Sequence, residues 1–303
     1  MKILNFGSLN IDHVYKVPHF VMKGETLSSE DLRQYPGGKG LNQSIALAKA
    51  GMPVWHAGVI GKDGTFLLQT LESAGVKTEF LRIDEDTPTG HAIIQNDVLG
   101  DNCILLYGGT NQKITTEYVD SVLENFDSGD YLLLQNEINH LDYIITCAKK
   151  RRMKIILNPS PMNDKILNLP LQCVDLFFVN EVEAEQLIKS QVPDISVLDH
   201  KAIAAALQEL FPETDFVLTL GSEGSMYLHN NTQTCQPAFK IHTIDTTAAG
   251  DTFTGFFLAG ILNKRNISDS LKLASKASSI TCSRQGASVS IPTWQDVMDS
   301  LEN

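Results

Sequence analysis

Short apolar runs alternate along the chain with stretches of helical period. The run from Lys2 to Ser8 predicts a buried first strand that ends in Gly7-Ser8-Leu9-Asn10-Ile11-Asp12. Val54 to Ile60, Tyr131 to Gln135, Lys154 to Asn158, Val174 to Val179 and Phe216 to Leu220 predict further strands. Between them the apolar spacing predicts helices over Leu41 to Ala50, Phe66 to Ala74, Ile138 to Lys150, Phe256 to Leu262 and Leu271 to Cys282. In His200 to Leu210, Ile203, Ala206, Leu207 and Leu210 share one helical face. This alternation implies an α/β fold with a mainly parallel sheet flanked by helices. Val14 to Tyr35 departs from it: apolar and polar residues alternate around a Lys23-Gly24 turn signal, which predicts two to four strands inserted before the first helix. Phe239 to Ile244 also reads as a strand. Without a repeat, low-complexity run or proline-rich linker, residues 1–303 are expected to form a single large domain with a small lid.

Composition narrows the class. A 303-residue chain with 43% hydrophobic and 20% charged residues can bury a substantial core. Its 36 acidic and 24 basic residues give a formal charge of −12, which argues against general binding to nucleic acid or anionic membranes. The five cysteines are dispersed with no C-x-x-C pair, as expected of reduced thiols in a cytoplasmic protein, and the eight histidines lack zinc-ligand spacing. Asn5, Asn10 and Asp12 interrupt the first apolar run, so it reads as neither signal peptide nor membrane span.

Candidate chemistry concentrates in a few segments. Asp245-Thr246-Thr247-Ala248-Ala249-Gly250-Asp251-Thr252-Phe253 opens an apolar helix. Small residues at a helix start let the N–H groups of Ala248, Ala249 and Gly250 face an anion, and the helix dipole favours negative charge there; a phosphate fits. Asp251 places a carboxylate at the same spot. It is either a helix cap or a base that takes a proton from a hydroxyl while the anion site steadies a transferring phosphoryl group. Pro36-Gly37-Gly38-Lys39-Gly40-Leu41-Asn42-Gln43 is a glycine-rich turn into a helix, by itself as compatible with a hinge as with a binding loop. No Walker A loop or dinucleotide-binding glycine fingerprint occurs. Asn10 and Asp12 fall just past a strand end, a place for ligands in open α/β sheets and equally for Asx turns. The acids of Asn180-Glu181-Val182-Glu183-Ala184-Glu185 suit a helix start.

Together, the two glycine-containing segments resemble the N- and C-terminal signatures of the ribokinase-like (PfkB) carbohydrate kinases. They lie about 200 residues apart with matching segments between, so the resemblance covers nearly the whole chain. Many relatives have Gly where Ala248 stands, whereas the ribokinases proper tend to have Ala. The resemblance implies a ribokinase-like three-layer sandwich whose β-strand lid comes from about 14–35 and about 89–107. It implies ATP-dependent phosphorylation of a primary hydroxyl on a small sugar. D-ribose leads, with 2-deoxyribose, a ketohexose or a nucleoside as alternatives; a non-catalytic sugar sensor is the reading outside enzymes. Asp251 is then the base. Asn10, Asp12, Gly38, Lys39, Asn42 and Glu137 fix the sugar, and Leu41 and Ser44 stand where ribokinases often have Ala, the bulkier Leu41 near the pocket. Asn180, Thr219, Gly221, Ser222, Gly224, Gly250 and Ser275 line ATP. Asn180 and Glu183 organise Mg²⁺ largely through water. Asp245, with Thr247, Thr281, Arg284, Gly286 and Ser290, holds a monovalent cation, K⁺. Exposed lid strands imply a homodimer formed through the lid.

Overall fold

In the computed structural model, which describes residues 1–99, 101–192 and 199–302, the predicted alternation of strand and helix is present. The strands are β1 (Ile3–Phe6), β2 (Asn10–Lys16), β3 (Asp31–Gly37), β4 (Val54–Gly61), β5 (Lys77–Asp84), β6 (Gly90–Asn96) and β7 (Asn102–Tyr107). After them come β8 (Tyr131–Gln135), β9 (Lys154–Asn158), β10 (Leu176–Asn180), β11 (Asp215–Thr219), β12 (Ser225–His229) and β13 (Thr232–Gln236). The helices are α1 (Lys39–Lys49), α2 (Thr65–Ser73), α3 (Thr116–Leu123), α4 (Leu141–Lys150), α5 (Glu181–Gln191), α6 (His200–Leu210), α7 (Ala249–Leu262), α8 (Ile267–Cys282) and α9 (Trp294–Glu302).

Among the described residues, nine strands form the central sheet in the order β13-β12-β11-β10-β9-β8-β1-β4-β5. It is parallel from β11 to β5, with β12 and β13 added antiparallel at one edge. Side chains alternate between faces along each strand, so the apolar runs feed two cores at once. Leu4, Phe6, Leu132, Leu134, Phe177 and Phe216 pack with residues of α3 to α6, whereas Ile3, Leu133, Phe178 and Val217 pack with residues of α1, α2, α7 and α8. Three layers result. A separate sheet, β3-β2-β6-β7, forms the lid. Gly100, inside the expected lid segment, lies outside the described residues. Among those described, no helix is long and apolar enough to cross a membrane.

Several expectations are corrected. Asn10 and Asp12 do not sit in a loop: they lie on lid strand β2, where Asp12 pairs with Tyr35 and Ala92. Phe239 to Ile244 contains no strand. The sheet edge next to β12 is taken by β13, joined to it through Asn230 and Asn231, both at positive φ, while Phe239 and Ile241 turn to line a cavity. Helix α4 starts at Leu141 rather than Ile138, after His140 in the left-handed region. Leu41 is fully buried in the core shared with Ile45 and Phe256, so it offers no surface to a ligand.

Candidate active site

Helix α7 begins at Ala249, and Asp251 is in its first turn. The residue before the helix, Ala248, adopts φ 61°, and no side chain caps the helix start. A non-glycine residue in the left-handed region costs about 1 kcal/mol, a strain that often marks functional sites. The cap reading of Asp251 is therefore excluded: its oxygens accept instead from Asn42 Nδ2 (3.0 Å) and Gln43 Nε2 (2.8 Å). Both donors come from α1, which reaches the site because Gly40 approaches the end of β1. A β-carbon at Gly40 would lie 2.4 Å from the Ser8 nitrogen. Of the N–H groups expected to face an anion, that of Ala249 is given to the Thr246 carbonyl at 3.2 Å. Gly250 follows it in the first turn, where helix geometry supplies no intrahelical acceptor.

A polar cavity of about 250 Å³ opens in front of Asp251. Lys39, Asn158, Asn180, Glu183, Ala248, Ala249 and Gly250 are among its walls. Gly38 precedes α1 at φ 93°. Glu137, half-buried, accepts from the Lys39 backbone N–H at 2.9 Å and from the Ser8 hydroxyl, and the desolvation of its carboxyl pushes it up. Burial alone would pull the Lys39 ammonium down, but Asp251, Glu137 and Glu183 around it outweigh that and raise it. Lys39 thus stays charged among three carboxylates. Asn10 Oδ1 accepts from Asn111 Nδ2 at 2.7 Å, a partner from beyond the lid that the sequence reading did not single out. Asn42 Oδ1 is buried with no protein partner among the described residues, a buried acceptor suited to a ligand hydroxyl.

Adjoining this polar cavity is a larger one of about 890 Å³. Asn180, Thr219, Gly221, Ser222, Gly224, Gly250 and Ser275, the residues expected around ATP, all line it. The two cavities share Gly250, so a molecule filling the larger one can present its end to Asp251. Asn180 and Glu183 form a reciprocal capping box on α5: Oδ1 of Asn180 accepts from the Glu183 N–H (2.8 Å), and Oε2 of Glu183 from the Asn180 N–H (3.1 Å). Of the residues expected around a monovalent cation, Thr247 and Gly286 meet at Asp245. Asp245 accepts from the Thr247 N–H (2.9 Å), the Thr247 hydroxyl (2.6 Å) and the Gly286 N–H (2.9 Å). Burial would raise its carboxyl, but these donors hold it below the usual carboxylate range. The Arg284 N–H bonds the Thr281 carbonyl at 3.0 Å, and the Ser290 hydroxyl bonds the Ala287 carbonyl at 2.7 Å.

A family model described as pfkB family carbohydrate kinase matches residues 1–294. The chain belongs to the PfkB carbohydrate kinases. It is 32% identical over 307 residues to the ribokinase of Haemophilus influenzae, covering 98% of this chain and 97% of that one. Among solved structures, the ribokinase of Cryptococcus neoformans in complex with ADP superposes with a TM-score of 0.88 at 33% identity, covering 99% of this chain and 98% of that one. The Arabidopsis thaliana ribokinase complexed with ribose and ATP gives 0.86 at 26% identity, covering all of this chain and 99% of that one. As a PfkB kinase, the chain is a phosphotransferase with an alcohol acceptor. In this kinase Gln43 escaped the sequence reading as a site residue although it belongs to the quoted motif; only its contact with Asp251 reveals it.

Proposed function

We propose that this kinase transfers the γ-phosphate of ATP to the 5-hydroxyl of D-ribose. The observation that carries the reading is Asp251: a buried carboxylate held by two amides at the mouth of a small-residue helix start, between a small polar cavity and a nucleotide-sized one. Asp251 accepts the hydroxyl proton as the sugar oxygen forms its bond to the γ-phosphorus. The bond from phosphorus to the bridging oxygen breaks, and ADP leaves with that electron pair. The N–H groups at the start of α7, with Ala248 setting the turn, stabilise charge on the transferring group, and Lys39 adds a fixed positive charge. Asp12 and Asn10 on the lid take the sugar's vicinal hydroxyls, and Gly38, Asn42 and Glu137 complete its cradle. The ribokinase complexes with ADP and with ribose and ATP support this choice of ligands.

Mg²⁺ fits beside Glu183, which keeps a second carboxylate oxygen beyond the one used in its capping box and lines the polar cavity near Asn180. Such an ion keeps most of its waters and would neutralise phosphate charge. The ionised Asp245 and the carbonyls of Thr247, Thr281, Arg284 and Gly286, with Ser290, offer the all-oxygen set a K⁺ ion favours. The chain is proposed to act as one kinase domain, paired with a second copy through the lid, whose β7 strand is exposed from end to end.

ADP release with MgATP, K⁺ and a panel of pentoses, hexoses and nucleosides tests the reading, with Asp251→Asn in parallel. Turnover should be strongest with ribose, and the variant should lose at least about 10²-fold in kcat while still binding sugar. Preference for another acceptor would replace the substrate. Near-normal turnover by Asp251→Asn would remove it as base.

A further inference from the structure

Behind Asp251 runs a file of buried amides. Gln43 Nε2 donates to Asp251 Oδ1 at 2.8 Å, and Gln43 Oε1 accepts from Gln135 Nε2 at 2.7 Å. The same Gln135 nitrogen donates to Asn5 Oδ1 at 3.0 Å. Asn5 Nδ2 donates to the Gly40 carbonyl at 2.7 Å and to Ser44 Oγ at 2.8 Å. A backbone carbonyl can only accept, so Gly40 fixes which end of Asn5 carries the nitrogen. That assignment fixes Gln135, and Gln135 fixes Gln43, whose nitrogen end is left facing Asp251. Asn5, Gln43 and Gln135 are all fully buried. An amide that turned round here would set oxygen against oxygen out of reach of bulk solvent. On the far side, Ser44 Oγ lies 2.8 Å from His56 Nδ1. Burial pulls the His56 imidazole down to about 4, so this end of the file carries no charge near neutrality.

We propose that Gln43 is a positioning residue for phosphoryl transfer: held by Gln135 and Asn5, it orients the Asp251 carboxylate and keeps it ready to accept the substrate's proton. This rests on the reading of Asp251 as the base. The charged groups around Asp251 are Lys39 at the start of α1, Glu137 after β8 and Glu183 on α5. Each can change its balance when sugar, phosphate or metal enters the cavity. The Gln43 amide cannot gain or lose charge, so its support is the same at every stage of the cycle. With Asn42 on the other oxygen, the carboxylate cannot rotate in its plane without breaking a bond.

The test compares Gln43→Met, Gln43→Glu and Asp251→Asn by kcat, sugar KM, the pH profile of kcat/KM and thermal stability. Losing one hydrogen bond to a charged acceptor should raise the acidic limb by about one pH unit and lower kcat about tenfold in Gln43→Met, with sugar KM within about twofold. Gln43→Glu keeps the size and shape but turns a second carboxylate toward Asp251, and should be worse on both counts. A packing role alone predicts that both variants change only thermal stability, with kcat and the acidic limb unmoved. Should the Gln43 variants fail to fold, Gln135→Met releases Gln43 without touching Asp251; it should shift the limb the same way with a smaller loss. Unchanged kcat and acidic limb in the folded variants, beside an inactive Asp251→Asn, would overturn this inference alone. Retained turnover in Asp251→Asn would overturn the base assignment and this inference with it.

Discussion

Asp12 shows how a residue's neighbours set its chemistry. Burial, and then the nearby Glu137 carboxylate, push its carboxyl up to about 7 from an ordinary value of 3.8. Between those values the folded chain holds a proton that the unfolded chain has released. The contribution of Asp12 to stability therefore declines as pH rises from about 4 to 7. Its proposed function runs the other way. A protonated carboxyl accepts sugar hydroxyls poorly, so ribose KM should fall as pH rises from 6 to 8, and Asp12→Asn should flatten that dependence. Steady-state kinetics at fixed MgATP would decide this; an unchanged slope in the variant would assign the titration elsewhere. The pairing of Asp12 with Glu137 could not be read from the chain, because 125 positions separate them and each alone looks like a solvated carboxylate.

Among elements, the crossing of α1 and α7 is what assembles the base and its donors. The two helices touch where Gly255 faces Ala46: a β-carbon at Gly255 would lie 2.5 Å from the Ala46 β-carbon and 2.8 Å from the Leu47 nitrogen. Real β-carbons do not approach that closely, so Gly255→Ala must push the helices apart. The displacement should lengthen the Asn42 and Gln43 contacts to Asp251, three to four residues into α1 from its start. We expect a stability loss of about 1–3 kcal/mol, as overpacking usually costs, together with a fall in kcat. Denaturant unfolding and initial rates would check both, and a stable variant with full activity would show that the crossing has slack. The existence of both helices was legible from their apolar spacing. Their close approach was not, since Gly255 looks like any other glycine until its neighbour is known. Helices α3 and α9 and strands β5 and β13 had drawn no assignment from the pattern. The alternating β5 is one such case: half its residues face away from the core.

For the whole molecule, the lid poses an association problem. Leu32, Ile104, Leu105, Leu106 and Tyr107 are all about half exposed or more, on strands β3 and β7 that form the two edges of the lid sheet. Open edges carrying apolar side chains invite a second copy. Sedimentation should find a dimer at micromolar concentration, and Leu105→Asp should shift it to monomer with the central fold intact. A wild-type chain that stays monomeric would dismiss the lid as an interface. The central sheet shows the other side of the same physics. Its interior strands are covered on both faces, and their apolar runs were readable in the sequence for that reason.

By itself, the sequence determined the strand and helix alternation, the two apolar faces of the sheet strands and the place of both signature segments. These depend on residues close together in the chain, where spacing reports burial directly. Tertiary structure decided what chemistry those segments reach. Asp251 and Gln43 are separated by 208 positions, yet one amide joins them, and this contact, together with the uncapped helix start, rules out Asp251 as a cap. Likewise, Asn10 and Asp12 became lid-strand residues because β3 and β6 pair on either side of β2, and Phe239 to Ile244 stayed out of the sheet because β13 already held its edge. Local spacing cannot register such outcomes, since each is a competition between distant segments for the same hydrogen bonds or the same space.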